Sequence, residues 1–185
     1  LESPDVIDDL GVAGWLDSIL QKANQGIVDY VNEEFAPFQG DPHEVMGTTC
    51  VICFVHQGVC TIASLGDSRG YLIREDGTAR ITRDHNLLTL GIIDGLSADV
   101  ALSLPQSEAL ARCLGTFSVG EDRHLIPTAV RPDIYRLRLR TGDKLLLCTD
   151  GLTDYAAQTI RGSETAIGRI VRDEPIPDLA WLDLM

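Results

Sequence analysis

The chain has 185 residues, of which 44% are hydrophobic and 23% are charged. This composition is typical of a folded domain, and no apolar run reaches the roughly 18 residues that a membrane-spanning helix needs. The 28 acidic and 15 basic residues leave a net charge of −13, which repels both the phosphate backbone of a nucleic acid and an anionic membrane surface. We therefore expect neither nucleic acid nor a membrane as a partner.

The chain contains five cysteines, four of which lie in apolar stretches: Cys50, Cys53, Cys60 and Cys148. Buried, reduced thiols are typical of a reducing compartment, and the start of the chain lacks the pattern of a secretory signal, so we expect the protein in the cytoplasm. A zinc site at Cys50, Cys53, His56 and Cys60 is disfavoured, because residues three positions apart in an extended strand point to opposite faces.

The first predicted element is a long helix. Apolar residues recur every three or four positions from Leu16 to Phe35, which predicts an amphipathic helix over residues 12–36 that packs on another layer. The segment that follows it, APFQGDPHE, is rich in Pro, Gly and Asp and is predicted to be a loop.

Residues 47–82 have the apolar or alternating pattern of β-strands. Turn residues separate the strands, and Asp76-Gly77 is a strong hairpin signal. We expect an antiparallel meander whose strands are residues 47–55, 59–65, 69–75 and 78–82.

The next segment, residues 84–122, is irregular and rich in Gly and polar residues, with one short helix that Ser97 is predicted to cap. A long irregular stretch of this kind is commonly functional, so we predict a flap here. Beyond it, residues 131–140 alternate apolar and basic side chains and residues 144–149 are apolar, which predicts two strands joined as a further hairpin.

The C-terminal part is predicted to be helical, with helices that begin near Asp154, Ser163 and Asp178. One long helix, a block of antiparallel strands and closing helices indicate an α+β fold in which helices are layered on sheets. No internal repeat or linker divides the chain, so residues 1–185 are expected to form a single domain.

Two acidic segments stand out as candidate metal ligands. Asp67 in LGDSR and Asp150 in CTDGLTD each follow an apolar strand and each lie next to a glycine, where a carboxylate can reach solvent or a metal ion. Either aspartate alone is typical of an ordinary turn residue that bonds to its own backbone. The two together point to a shared site.

Five short segments resemble, in their order and spacing, the motifs of one enzyme family. They are MGTT (46–49), GDSRGYL (66–72), ITRDHNL (81–87), ALARCLG (109–115) and GDKLLLCTDGLTD (142–154). The family is that of the metal-dependent PPM (type 2C) serine/threonine protein phosphatases, in its bacterial branch. This resemblance implies a layered sandwich of two antiparallel β-sheets flanked by helices, with a metal centre in a cleft at one end.

The resemblance also implies roles for individual residues. Asp150, with Gly151 beside it for close approach, matches the aspartate that binds the catalytic metal pair, and Asp67 matches one that helps to hold a further metal. Arg69 is expected to hold its loop, and His85-Asn86 resembles the Asp-His-Ser turn of the family with Asn in place of Ser. Within the flap region of residues 84–122, the segment from His85 to about Leu114 matches the family's flap, which borders the cleft and influences substrate choice.

The implied activity is hydrolysis of phosphoserine and phosphothreonine on proteins by a water that two Mn²⁺ or Mg²⁺ ions activate, with a possible third ion. The implied partners are phosphoprotein substrates, and a monomer is expected. The chain has no Cys-x₅-Arg loop of the kind that thiol phosphatases use, so Cys148 is interpreted as a core residue.

Two motifs of the family are absent from these 185 residues. They are an Asp-Gly-x-Gly-Gly motif before the first long helix and a Gly-Gly-x-Asp-Asn motif on the last strand, and both supply metal ligands in the family. We therefore expect the chain to be the interior portion of a catalytic domain, truncated at both ends and inactive by itself. The alternative is a pseudophosphatase that acts as a binding or regulatory module.

Overall fold

The fold is taken from a computed structural model that describes residues 9–41, 45–153 and 163–173. The helices are α1 (Asp9–Phe35), α2 (Leu87–Ile93), α3 (Ala98–Ser103) and α4 (Ser163–Asp173). The strands are β1 (Cys50–His56), β2 (Val59–Leu65), β3 (Arg69–Arg74), β4 (Gly77–Arg80), β5 (Phe117–Val119), β6 (Leu125–Pro127), β7 (Asp133–Arg138) and β8 (Lys144–Cys148).

The strands form two three-stranded antiparallel sheets and one small ribbon. The first sheet has the order β1-β2-β7, the second has the order β4-β3-β8, and β5 pairs with β6. The two larger sheets approach each other where a Cβ atom added to Gly70 on β3 would lie 3.7 Å from Ile62 Cδ1 on β2. The predicted α+β class with two antiparallel sheets is confirmed.

Two predictions about strand pairing are wrong. The predicted meander is interrupted, because β2 pairs with β1 and β7 while β3 pairs with β4 and β8. The predicted hairpin over residues 131–149 is split in the same way, since β7 and β8 join different sheets. Turn residues show that the chain reverses, but they do not specify whether the next strand pairs with the previous one or crosses to the opposite layer.

The apolar face of α1 covers the first sheet, as the sequence predicts. Its buried residues form a cluster with two residues of β2, and this cluster includes Val12, Leu16, Leu20, Ala63 and Leu65. Further along the helix, Val28 and Val31 pack with Phe38 and Leu125. Neither α1 nor any other helix in the described ranges is both long and apolar enough to cross a membrane.

A row of amide side chains on α1 holds the backbone of residues 115–130. Asn24, which is 1% exposed, donates to the carbonyl oxygens of Thr116 and Thr128 and accepts from the N–H groups of Gly115 and Thr116. Gln21 and Asn32 each make a similar pair of bonds, to Val130 and Leu125 respectively. These bonds replace the strand partners that this segment lacks on the side facing α1.

Residues 84–122 contain more regular structure than predicted. The Ser97 cap is confirmed, because its side chain accepts the N–H of Val100 at the start of α3. Helix α2 was not predicted; it begins after Asn86, whose side chain accepts the N–H of Thr89. Strands β5 and β6 have three residues each, too few for a recognisable pattern.

Helix α4 confirms the helix that is predicted to begin near Ser163. The helices predicted from Asp154 and from Asp178 lie outside the described residues, apart from a helical turn at residues 150–153.

The crossing from β2 to β3 depends on Gly66, and a substitution there tests it. Gly66 has a φ of +108°, and an added Cβ would lie 2.4 Å from Thr49 Cγ2. We expect Gly66→Ala to lower the free energy of unfolding by at least about 2 kcal/mol, because backbone strain and a clash add together. Gly58→Ala, at a φ of +73° with no atom within 4 Å, is the control and should cost about 1 kcal/mol in the same urea titration. Equal losses would contradict the close contact with Thr49.

Candidate metal centre

Asp67 and Asp150 lie at the same end of the second sheet. Asp67 precedes β3 and Asp150 follows β8, and these antiparallel strands are paired with Arg69 opposite Cys148. The start of one strand and the end of the other therefore coincide. Both aspartates line one cleft of about 310 Å³. The convergence predicted for these two residues, which are far apart in sequence, is confirmed.

The two carboxylates repel each other in this cleft. Burial raises the pKa of the half-buried Asp67, and the negative charge of Asp150 raises that pKa further. A divalent cation between or beside the two groups would remove this repulsion, and Mg²⁺ and Mn²⁺ prefer carboxylate oxygens. The donor chemistry therefore fits part of a metal centre.

The described residues do not complete that centre. Among them, no group of three or more His, Cys, Asp or Glu side chains is arranged to hold a metal ion. Asp84 and Glu108 line the same cleft, which the sequence did not indicate. The carboxylate of Asp84 is already occupied by ion pairs with Arg69 and Arg80. Glu108 is exposed.

Gly151 is the third residue for which the resemblance implies a metal-site role. It is exposed and lies in the helical turn that begins at Asp150. A Cβ atom added there would meet only the Thr149 hydroxyl, at 3.5 Å, among the described atoms. Packing within the chain does not require glycine at this position, and its role at a metal stays a prediction.

Arg69 connects the two aspartate-bearing segments. Its guanidinium donates to both carboxylate oxygens of Asp84, at 3.2 and 2.8 Å, and to the hydroxyl of Thr153 at 2.6 Å. The same hydroxyl donates to the carbonyl oxygen of Asp150 at 2.8 Å. One side chain thus ties the start of β3 to the turn that carries Asp150, which agrees with the holding role expected for Arg69.

His85 supports the Asp67 loop from the other side. It is 2% exposed, its Nδ1 accepts the N–H of Gly66 at 3.1 Å, and its Nε2 lies 3.4 Å from a carboxylate oxygen of Asp133 on β7. Arg83 and Arg112 also contact that carboxylate, at 2.9 and 3.3 Å. The sequence placed His85 in a turn but gave no sign of this bridge, since both partners are distant along the chain.

No cysteine is among the described residues that line this cleft. Cys53 and Cys60 face each other across the β1–β2 hairpin with their Sγ atoms 3.1 Å apart. Burial and the neighbouring Cys53 raise the pKa of Cys60 to about 12, which disfavours the thiolate that zinc binding or nucleophilic attack requires. Cys148 is half-buried on β8.

The sequence and the fold were compared with known proteins. The sequence model for protein phosphatase 2C matches residues 5–172. The chain belongs to the protein phosphatase 2C family. Among its relatives is the serine/threonine phosphatase stp of Listeria innocua, which is 35% identical over 78% of this chain and 51% of that protein. The chain thus spans about half the length of this relative.

Solved structures of the family have the same fold. A bacterial serine phosphatase is 28% identical, with a TM-score of 0.70 over 100% of this chain and 66% of that one. The catalytic domain of the serine/threonine protein phosphatase PstP in complex with two manganese ions is 25% identical, with a TM-score of 0.62 over 91% of this chain and 61% of that one.

Replacing Arg69 tests its link between the two acidic segments. We expect Arg69→Gln in the full-length protein to lower the apparent affinity for Mn²⁺ by about 10- to 100-fold, because the loop of Asp67 and the turn of Asp150 lose their common anchor. Isothermal titration of Mn²⁺ measures the effect.

The control for this variant is Arg74→Gln. Arg74, at the other end of β3, makes a similar two-bond ion pair with Asp143, at 2.9 and 3.0 Å. The Arg74→Gln variant should leave the affinity for Mn²⁺ unchanged. Equal losses of affinity in the two variants would contradict a specific role for Arg69.

The buried His85 predicts an acid-sensitive fold. Burial lowers the pKa of His85 in the folded protein, and the nearby Arg112 and Arg83 also lower it, although Asp133 opposes the shift. The unfolded chain therefore binds more protons as the pH falls through about 6.5, so folded-state stability is lost below that pH.

We expect the melting temperature to fall between pH 7.5 and 5.5, and to fall less in His85→Gln. The exposed His124 provides the control His124→Gln, which should keep the wild-type dependence. An unchanged pH dependence in His85→Gln would contradict the neutral, buried state of this histidine.

Proposed function

We propose that the protein hydrolyses phosphoserine and phosphothreonine esters on proteins with the help of bound divalent metal ions. The observation that carries this proposal is the meeting of Asp67 and Asp150 in one cleft. Membership of the protein phosphatase 2C family and the named activity of its relatives support it. Because the chain covers about half of its first relatives, the activity is proposed for the whole protein.

Asp67 and Asp150 would hold metal through their carboxylate oxygens. A bound ion supplies a Lewis acid that polarises the phosphoryl group and lowers the pKa of a water. Two Mn²⁺ or Mg²⁺ ions, with a possible third, are the set we propose, and the two manganese ions in PstP support the choice of metal. Further ligands are needed beyond these two aspartates.

The residues of this chain explain why hydrolysis should depend on metal. Four carboxylates line the cleft, those of Asp67, Asp84, Glu108 and Asp150, against the two cations of Arg69 and Arg80. Since Asp84 already binds both arginines, the free charge at the opening is negative and repels a phosphate ester. Cations held by Asp67 and Asp150 would reverse the sign of this field, so that the cleft could admit the substrate.

Three neighbouring side chains would keep Asp67 and Asp150 in place during turnover. Arg69 and Thr153 hold the segment of Asp150, and His85 holds the backbone N–H before Asp67. These groups touch no reacting atom and are positioning residues. Their bonds hold the two carboxylates in place, so that cations bound there would keep a fixed position relative to the substrate.

We also propose that the protein acts in the cytoplasm as a monomer. None of the five cysteines forms a disulfide, which supports a reducing compartment. Sedimentation of the purified full-length protein measures its oligomeric state, and a stable dimer would contradict the proposed monomer.

Substitution of the two aspartates tests the proposed centre. In the full-length protein, Asp150→Asn should lower Mn²⁺-dependent hydrolysis of a phosphothreonine peptide by about 100-fold or more, because one charge and one ligand of the metal pair are lost. Asp67→Asn should have a smaller effect, since a peripheral ion assists the pair. Steady-state rates over a manganese titration measure both.

Asp122→Asn is the matched control, because this carboxylate is exposed and lies outside the cleft. It should leave the rate unchanged. An Asp150→Asn protein with the wild-type rate would place the catalytic centre elsewhere.

A further inference from the structure

A second cleft adjoins the candidate metal centre. It has a volume of about 320 Å³, is lined by residues 80–84 together with Thr89, and is called the arginine cleft below. Arg80, Asp84 and Thr89 line this cleft and also the cleft of the metal centre. A group bound in the arginine cleft therefore lies directly beside the metal centre.

Arginines outnumber the carboxylates with which they pair at the arginine cleft. Two carboxylates in and beside the cleft each contact two guanidinium groups: Asp84 contacts Arg69 and Arg80, and Asp133 contacts Arg83 and Arg112. Four positive charges are thus shared between two negative ones, in a chain whose net charge is −13. This local surplus of positive charge attracts an anionic group.

The two arginines that line the cleft are held in position and still have donors to spare. Nε of Arg80 donates to the carbonyl oxygen of Thr82 at 2.9 Å, and Nη2 of Arg83 donates to Asp133 at 2.9 Å. The backbone N–H of Arg83 donates to the Tyr135 hydroxyl at 3.1 Å. The side chain of Arg83 is nevertheless 58% exposed, and bonds to the described residues use only part of the five N–H groups of each guanidinium. Both arginines can therefore bind a further carboxylate with little loss of side-chain freedom.

The charge of the neighbouring metal centre decides when the arginine cleft can accept an anion. Without metal, the carboxylates of Asp67 and Asp150 would repel an acidic side chain placed beside them. Cations held by these two residues would remove that repulsion. The arginine cleft should therefore bind an acidic group in the metal-loaded protein, at the same time as the phosphate of the substrate reaches the metal centre.

We propose that the arginine cleft binds an acidic side chain of the substrate close to the phosphoresidue, so that the protein selects acidic phosphopeptides. A guanidinium binds a carboxylate through charge-assisted hydrogen bonds of defined geometry. Arg83 is the better residue for a test, because Arg80 also lines the cleft of the metal centre, whereas Arg83 is not among the described residues that line it. This proposal rests on the proposed phosphatase function and names its substrate class.

Three phosphothreonine peptides that differ only in charge test the selection. Each carries glutamate, glutamine or lysine at the two positions on either side of the phosphothreonine, and each is assayed with the full-length, Mn²⁺-loaded protein. We expect kcat/KM for the glutamate peptide to exceed that for the glutamine peptide by about 3- to 10-fold, as for a partly exposed ion pair, and the lysine peptide to be the poorest substrate. The preference should shrink at high salt. The net charge of the chain by itself predicts the opposite order.

Variants of Arg83 locate the effect. The measured quantity is the ratio of kcat/KM for the glutamate peptide to that for the glutamine peptide, which cancels any change of rate that acts on both peptides alike. Arg83→Gln should lower this ratio to about 1 or below, whereas Arg83→Lys, which keeps the charge, should retain part of the preference. Arg140→Gln is the matched control, because this exposed arginine lines a separate cleft with Arg74 at the other end of β3 and its loss changes the net charge equally. The control should keep the wild-type ratio.

The outcomes separate this proposal from the proposed function. Equal kcat/KM for the three wild-type reactions, or a preference for the lysine peptide, would overturn the substrate selection while the phosphatase function stands. A glutamate preference that survives in Arg83→Gln, or that is lost equally in Arg140→Gln, would also overturn it. Absence of Mn²⁺-dependent hydrolysis of every peptide and of p-nitrophenyl phosphate would overturn the proposed function itself.

Discussion

The positions of Asp67 and Asp150 depend on the hydrogen bonds of the Arg69 guanidinium. Arg69 joins the beginning of β3, the carboxylate of Asp84 and, through Thr153, the turn of Asp150. Asp84 is 7% exposed, and removal of its cation partners would leave a buried, unpaired charge, which is far more costly than a lost surface ion pair. The ion pair and hydrogen bonds of Arg69 therefore hold together three segments that are distant in sequence, and their loss would strongly destabilise the fold.

The charge of the site and the charge of the whole chain have the same sign. A protein with a net charge of −13 repels phosphate, and the cleft itself carries unneutralised carboxylates at its opening. Binding of cations by Asp67 and Asp150 would relieve their mutual repulsion and attract the substrate at the same place. Metal binding and substrate admission are therefore one electrostatic event in the proposed function.

Polar contacts organise the segment that leads from the flap to β7. Gln21, Asn24 and Asn32 on α1 bond to backbone groups of residues 115–130, and Asn24 alone makes four such bonds. At the end of this path, Asp133 on β7 contacts His85, which holds the N–H of Gly66. Hydrogen bonds thus connect α1 with the segment after the flap, and breaking those of the buried Asn24 would leave a buried polar group unsatisfied. His85 bonds to the Asp67 loop and lies 3.4 Å from the carboxylate of Asp133.

The sequence by itself determined the features that depend on near neighbours. The period of α1, the β1–β2 and β3–β4 hairpins and the Ser97 cap follow from residues a few positions apart, and the motifs around Asp67 and Asp150 indicated the family. Only the tertiary structure decided that β7 pairs with β2 and β8 with β3, so that the predicted meander and second hairpin are divided between two layers. It also assigned Asn24 a partner 92 residues away, gave His85 its bridge from Gly66 to Asp133, and showed which aliphatic residues of the flap face solvent. The physical reason is that turn chemistry and side-chain periodicity act over a few residues, whereas strand partners and buried polar bonds are chosen by the packing of the whole chain.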